Sequence, residues 1–243
     1  MKPTVILVGA DKGGVGKTTV SRVLLDYLAS HNVLTRAFDT ESPRGTLMRF
    51  HPDATEIVDI TSTTDQMRVL DTLSTSQVKV SVIDTRAGGF GTALRALQEV
   101  GFLDAAAAGE FNFLVFHLLG PSIASLDEIA EVAPFVTNAR YFLVKNYINE
   151  TTFFEWDPST YSAYFNKVKC AGEIIVPKLN ATAFEQVEIA AVPFSTFVQN
   201  RTREGTGADH SFVLRGYVRS WLAQISQELQ RIHLLELIAS KPI

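Results

Sequence analysis

The segment Gly9-Ala10-Asp11-Lys12-Gly13-Gly14-Val15-Gly16-Lys17-Thr18-Thr19 has the residue types and spacing of a phosphate cradle. Gly13, Gly14 and Gly16 let the backbone turn where a Cβ would clash, so successive amide N–H groups can point at phosphate oxygens. Lys17 adds a mobile positive charge for β- and γ-phosphates, and Thr18 adds a hydroxyl for Mg²⁺. A helix starting here would aim the positive end of its dipole at the same anion. The chemistry within reach is phosphoryl transfer, which asks a protein for placement and charge stabilisation more than for a covalent intermediate.

Acids further along could complete such a site. Asp84 directly follows the apolar run 78–83, where a carboxylate would hold Mg²⁺ through a water, and Gly88 and Gly89 allow the next loop to move with a γ-phosphate. Asp39 ends the run 33–39 and opens Asp39-Thr40-Glu41-Ser42-Pro43-Arg44-Gly45, so Asp39 and Glu41 can meet the metal, its waters or an attacking water. The lesser alternative is that Asp39 simply caps the turn. The metal set is therefore Thr18, Asp39 and Asp84. Asn146, after the run 140–145, offers donor and acceptor to an adenine edge, or forms a turn.

One departure is informative. The first glycine of G-x-x-x-x-G-K-[ST] would fall at position 11, which is Asp, and a second lysine, Lys12, follows it. The form Lys-Gly-Gly-Val-Gly-Lys-Thr-Thr resembles the deviant Walker A loop of the ParA/MinD family of ATPases. Similar family segments follow in order: the two-acid switch I at Asp39 and Glu41, the Asp-x-x-x-Gly switch II at Asp84 with Arg86 where the family usually has proline, and the Pro-x-x-x-Ser-Leu phrase at 121–126. Val176-Pro177-Lys178-Leu179 resembles the segment beside the base.

The resemblance implies a single-domain α/β P-loop NTPase, with a mainly parallel twisted sheet and helices on both faces. ATP and Mg²⁺ would be its cofactors. Lys12, Lys17, Asp39 and Glu41 would serve catalysis, and which of the two acids orients the water is open. Residues 12–19 (Lys12, Gly13, Gly14, Val15, Gly16, Lys17, Thr18, Thr19), with Asn146, Pro177 and Lys178, would hold the nucleotide. Lys12 would cross an ATP-dependent homodimer to touch the partner's phosphates, and the dimer would meet an activator or cargo protein in partition, division-site positioning or conjugation. Two other functions fit the motif: an ATP-dependent biosynthetic enzyme related to dethiobiotin synthetase, with Arg44 or Arg86 beside a small acid, and a nucleotide-gated binding module with negligible turnover.

The elements that must position these residues are legible in the hydrophobic pattern. Residues 4–8 are a continuous β-branched run, as in a strand buried on both faces. A helix over 16–30 follows, with Val20, Val23, Leu24, Tyr27 and Leu28 in one stripe and a stop near Asn32. Strands are expected at 33–39, weakly at 56–60, and at 78–83, 111–118, 140–145 and 173–176. Helices are expected at 64–73, 92–103, 122–134, from Pro158, at 184–190, and at the C-terminus over 211–234. The aromatics of 153–165 read as core or as an interface.

Bulk properties bound the rest. With 243 residues, 46% hydrophobic, the chain suffices for one large α/β domain spanning 1–243. Its one cysteine, Cys170, excludes an internal disulfide and fits a reducing, cytoplasmic setting. Its apolar runs are far below the ~18 residues of a membrane span, and the C-terminus lacks a lysine-rich amphipathic anchor. Net charge is −4, yet the segment from Thr196 carries Arg201, Arg203, Arg215, Arg219, Arg231 and Lys241 against four acids. Arg201, Arg203, Arg215 and Arg219 could grip non-specific DNA, or form a solvated face. The loop 200–209, with Gly205 and Gly207, is the expected mobile segment.

Overall fold

In the computed structural model, which describes residues 2–73, 77–148 and 151–239, the chain is built around β1 (Thr4–Gly9). Val5 and Leu7 face one layer and Ile6 and Val8 the other, all fully buried. That is why this strand reads as an unbroken apolar run rather than as alternation. Each such side chain withdrawn from water contributes about 1.5–3 kcal/mol.

Six further strands join it: β2 (Thr35–Asp39), β3 (Thr55–Ile57), β4 (Val80–Asp84), β5 (Asn112–Leu119), β6 (Arg140–Asn146) and β7 (Gly172–Val176). The sheet order is β3-β2-β4-β1-β5-β6-β7, and every pairing is parallel. All carboxyl ends therefore lie along one edge, where a doubly wound sheet binds ligands.

Helices cover both faces. On one side α1 (Lys17–Ser30), α8 (Ala181–Ala190), α9 (Phe194–Val198), α10 (Phe212–Arg231) and α11 (Leu234–Ala239) pack over Ile6, Val8, Val82 and Phe116, with Leu47 of α2 (Thr46–Phe50) joining them. On the other, α3 (Thr63–Leu70), α4 (Phe90–Glu99), α5 (Phe102–Ala107), α6 (Ile123–Val132) and α7 (Pro158–Phe165) cover Val5, Leu7, Ile83 and Val115.

The helix expected over 92–103 is two helices, because Gly101 adopts φ 73 and starts α5 afresh. The helix expected over 211–234 likewise ends at Arg231, and His233 with φ 55 turns the chain into α11. Helix α8 starts at Ala181, before the expected 184, because Asn180 caps it by accepting from the Ala183 N–H. The short α2 and α9 were not expected, since five residues give too little periodicity. The loop 200–209 is a hydrogen-bonded turn, with an Arg201–Gly207 bridge and paired Thr202 and Thr206 hydroxyls at 2.8 Å. Lys241 lies outside the described residues.

Two buried cations join elements the pattern left separate. Arg22 of α1 lies between the rings of Phe50 and Phe194, 3.4 and 4.1 Å from their centroids, and meets Glu188 of α8 at 2.6 Å. Lys145 of β6 holds Glu155 and Glu173 at 2.6 and 2.7 Å. Burial opposes its charge, but these hydrogen bonds outweigh burial and raise its pKa. Lys145 thus anchors the aromatic segment, of which Phe153 and Phe165 are core while Trp156 is 74% exposed.

Close packing at the end of β1 generates a test. A Cβ on Gly9 would stand 2.0 Å from the Phe90 ring. Gly9→Ala should destabilise the fold by about 1–3 kcal/mol, read as a lowered urea midpoint, and Gly9→Ala with Phe90→Leu should recover part of the loss.

Candidate functional site

The phosphate-loop residues leave β1 and enter α1 through Gly16, whose φ of 94 only glycine adopts readily. A Cβ there would also strike Asn146 Nδ2 at 2.1 Å. Neither Gly16 nor the first turn of α1 supplies a capping side chain or an acid, so the helix offers its N–H groups and dipole to an anion.

A cavity of about 330 Å³ opens at this point. Gly13, Gly14, Gly16, Lys17, Thr18 and Thr19 line one wall, and Asp39, Glu41, Asp84 and Arg86 line another. Parallel register brings the acids together: Asp39 is paired with Asp84 across β2 and β4, and Val8 with Asp84 across β1 and β4. The expected phosphate loop and strand-end acids thus share one cavity.

Asp84 is fully sequestered. The Ser21 hydroxyl donates to it at 2.9 Å, and Thr18 donates as well. Burial, joined by the nearby Asp39 charge, pushes its pKa up to about 7 against those bonds and the pull of Lys17. Burial lowers the Lys17 pKa, opposed by Asp84, Glu128, Asp11 and Glu41. Its ammonium donates to the Lys12 carbonyl at 2.9 Å.

Asp39 has a second task. Its Oδ1 accepts the Glu41 N–H at 2.9 Å, while Oδ2 accepts the Leu47 N–H at 2.7 Å and the Met48 N–H at 3.4 Å. The bond to the Glu41 N–H is the turn cap that local chemistry allowed, the bonds to Leu47 and Met48 cap α2, and burial still raises the Asp39 pKa. Glu41 accepts from the Thr46 hydroxyl at the same helix start. Lys12 is exposed, its ammonium 3.3 Å from Ser122 Oγ.

The residues expected beside a base, Asn146, Pro177 and Lys178, line a second pocket of about 200 Å³ together with Thr19, Phe184 and Trp221 among others. Thr19 belongs to the phosphate loop, so the two pockets adjoin. Asn146 donates from Nδ2 to the Val15 carbonyl at 2.8 Å and accepts the Ile148 N–H at 3.2 Å, which ties it to the loop and leaves one N–H and one lone pair of its amide for other partners. Trp221 donates to the Pro177 carbonyl at 2.7 Å. The sequence did not single out Trp221 for this site, because an apolar residue in a C-terminal helix reads as core.

The four arginines grouped as a DNA footprint do different things. Arg203 donates to the carbonyls of Arg49 and Ala191, both at 2.6 Å, and Arg215 to those of His210 and Val198, while Arg201 and Arg219 are exposed. Among the described residues no helix is long and apolar enough to cross a membrane.

Solved structures share this architecture. MinD from Pyrococcus horikoshii, complexed with Mg-ADP, superposes with a TM-score of 0.57 at 12% identity, covering 97% of this chain and 99% of that one. The fold is that of MinD. A protein assigned to plasmid partition in Borrelia burgdorferi B31, bound to AMPPNP, gives 0.55 at 12% identity over 97% and 100% of the two chains. Aquifex aeolicus MinD in complex with MinC gives 0.51 at 12% identity over 90% and 96%. No family model matches the sequence, and no curated protein matches it significantly. At such identities the MinD likeness is one of fold.

The raised pKa of Asp84 yields a signed expectation. The folded state binds this proton more tightly than an unfolded carboxylate of pKa 3.8, so the stabilisation is complete below about pH 4 and lost as pH rises through about 7. Asp84→Asn should therefore raise the Tm of the nucleotide-free protein, with a larger gap at pH 8 than at pH 5. The gain should reach several degrees, since 1 kcal/mol moves Tm by about 2–4 °C in a domain of this size. Thermal melts at the two pH values check it.

Proposed function

We propose that the chain is a ParA/MinD-type ATPase that binds Mg-ATP, hydrolyses it slowly and changes its association state with the nucleotide. One observation carries this reading: a loop cavity with a lysine and two buried strand-end acids adjoins an apolar pocket walled by Pro177, Phe184 and Trp221. That is the shape and polarity of a triphosphate joined to a base. The nucleotides held by the P. horikoshii and B. burgdorferi proteins of this fold support it.

The residues present fit a magnesium nucleotide. Among the described residues no cluster of three histidines, cysteines or carboxylates could hold a metal by itself. Mg²⁺ needs no such cage, because it binds through one or two protein groups plus phosphates and waters. Thr18 and Asp84 would hold it, with Asp39 close by in the same cavity, and the ion would neutralise charge on the transferred phosphoryl group. Residues 13–19 would cradle the phosphates, Lys17 would move from the Lys12 carbonyl to the phosphate oxygens, and Glu41 or Asp39 would orient the water.

Lys12 is exposed, and in this reading its ammonium would reach the phosphates of a second copy of the chain. The nucleotide-bound dimer would then present a surface to an activator or cargo protein in partition, division-site positioning or conjugation. DNA contact would fall chiefly to exposed Arg201 and Arg219.

Calorimetry with Mg-ATP and light scattering test the two halves separately. Lys17→Ala should weaken nucleotide binding by more than about tenfold. Lys12→Ala should keep binding but lose the ATP-dependent dimer. A protein with no magnesium-dependent affinity for ATP would overturn the ATPase reading, and an oligomer indifferent to both ATP and Lys12→Ala would overturn the switch. Because Asp84 must be ionised to meet Mg²⁺, affinity for Mg-ATP should also fall as pH drops below about 7.

A further inference from the structure

Asp11 occupies a position that a generic phosphate loop gives to glycine, and no step above uses it. Its surroundings explain why an acid stands there. Helix α4 begins at Phe90 behind Gly89, which has no side chain to cap it, and its first turn contains no acid. Asp11 supplies both from another loop. Its Oδ1 accepts the Phe90 N–H at 2.9 Å, at the positive end of the α4 dipole, and its carbonyl accepts the Gly88 N–H at 2.8 Å.

Asp11 is itself held from a third direction. Its N–H donates to Glu128 Oε1 of α6 at 2.7 Å, and Glu128 is buried, with its Oε1 also 3.2 Å from His117 Nε2. That second approach lacks the alignment of a hydrogen bond. His117 in turn meets the Tyr141 hydroxyl at 2.6 Å and lies against the Phe90 ring, centroids 4.9 Å apart. Asp11 is thus braced by the buried centre of the sheet and grips the loop that follows Asp84.

That loop, Thr85-Arg86-Ala87-Gly88-Gly89, needs an outside grip. Two adjacent glycines and no proline give it little stiffness of its own, and Gly88 adopts φ 68. Arg86 and Ala87 from this loop line the phosphate cavity. Ordering it after a ligand arrives would cost conformational entropy, and ordering it beforehand removes that cost from binding.

We propose that Asp11 is a positioning residue that clamps the 85–89 loop to the phosphate loop before nucleotide binds, and so gives this site its preference for a triphosphate over a diphosphate. The second half rests on the nucleotide-binding reading; the clamp does not. The preference arises because only the terminal phosphate reaches the loop beyond Asp84.

The experiment compares the full chain with Asp11→Ala and Asp11→Asn, the latter keeping an acceptor oxygen for the Phe90 N–H. Hydrogen exchange of the nucleotide-free proteins should be about tenfold faster over residues 88–90 in Asp11→Ala and near wild type in Asp11→Asn. Calorimetry with magnesium should then find AMPPNP binding about tenfold weaker in Asp11→Ala with ADP binding unchanged within about twofold. If Asp11→Ala does not fold, as judged by circular dichroism, Asp11→Gly carries the same comparison with the residue a generic loop tolerates. Unchanged exchange at 88–90 overturns the clamp, and faster exchange with equal losses for AMPPNP and ADP overturns the preference. Faster exchange in a protein that binds neither nucleotide leaves the clamp standing and overturns the nucleotide reading instead.

Discussion

Two carboxylates on neighbouring strands, Asp39 and Asp84, stand at matched register and are both buried. Desolvation raises both pKa values, joined by the Asp39 charge at Asp84 and the Glu41 charge at Asp39, and the backbone bonds to Asp39 and hydroxyl bonds to Asp84 only partly offset this. A fold selected for stability alone would not place acids so. The arrangement is stabilised when a positive charge enters the cavity between them and the phosphate loop. The rest of the chain keeps that cavity in place: parallel pairing aligns the strand ends, and helices on both faces keep water from the sheet beneath.

Around this centre the elements that approach the cavity are tied to distant parts of the fold. Asp39 caps α2, whose Phe50 packs on Arg22, and Arg22 pairs with Glu188 on α8. Helix α8 in turn contributes Phe184 to the apolar pocket. A displacement at Asp39 therefore has a packed route to the apolar pocket. On the opposite face Lys145 fixes the aromatic segment 153–165, so that most of its rings are structural while Trp156 stays in solvent.

Whole-chain likeness at 12% identity to MinD and plasmid-partition structures has a physical basis. The sheet and its helices require apolar residues at the right period, and many sequences meet that condition. The loop chemistry is more demanding, and at position 11 the chain departs from the generic G-x-x-x-x-G-K-[ST] pattern. Asp11 replaces a glycine and bonds the segment after Asp84, while Arg86 enters the cavity wall.

From the amino-acid order alone one can read the parallel α/β plan, and the glycine-rich loop and strand-end acids that the fold then brings to one cavity. Continuous apolar runs mark doubly buried strands, and glycine spacing around Lys17 has few other uses. Local pattern also located α1 and most strands to within two residues. It did not find α2 or α9, which are too short to show a period, nor the breaks at Gly101 and His233, where one left-handed residue redirects a helix. The partners of the polar groups were settled by the three-dimensional arrangement alone: Asp39 caps α2, Asn146 bonds the Val15 carbonyl, and Arg203 and Arg215 bond backbone carbonyls of other elements. The contact from Asn146 spans 131 positions, that from Arg203 to Arg49 spans 154, and that from Asp11 to Phe90 spans 79. Hydrogen bonds of that range depend on where the sheet places its loops, and no local preference of the residues encodes it.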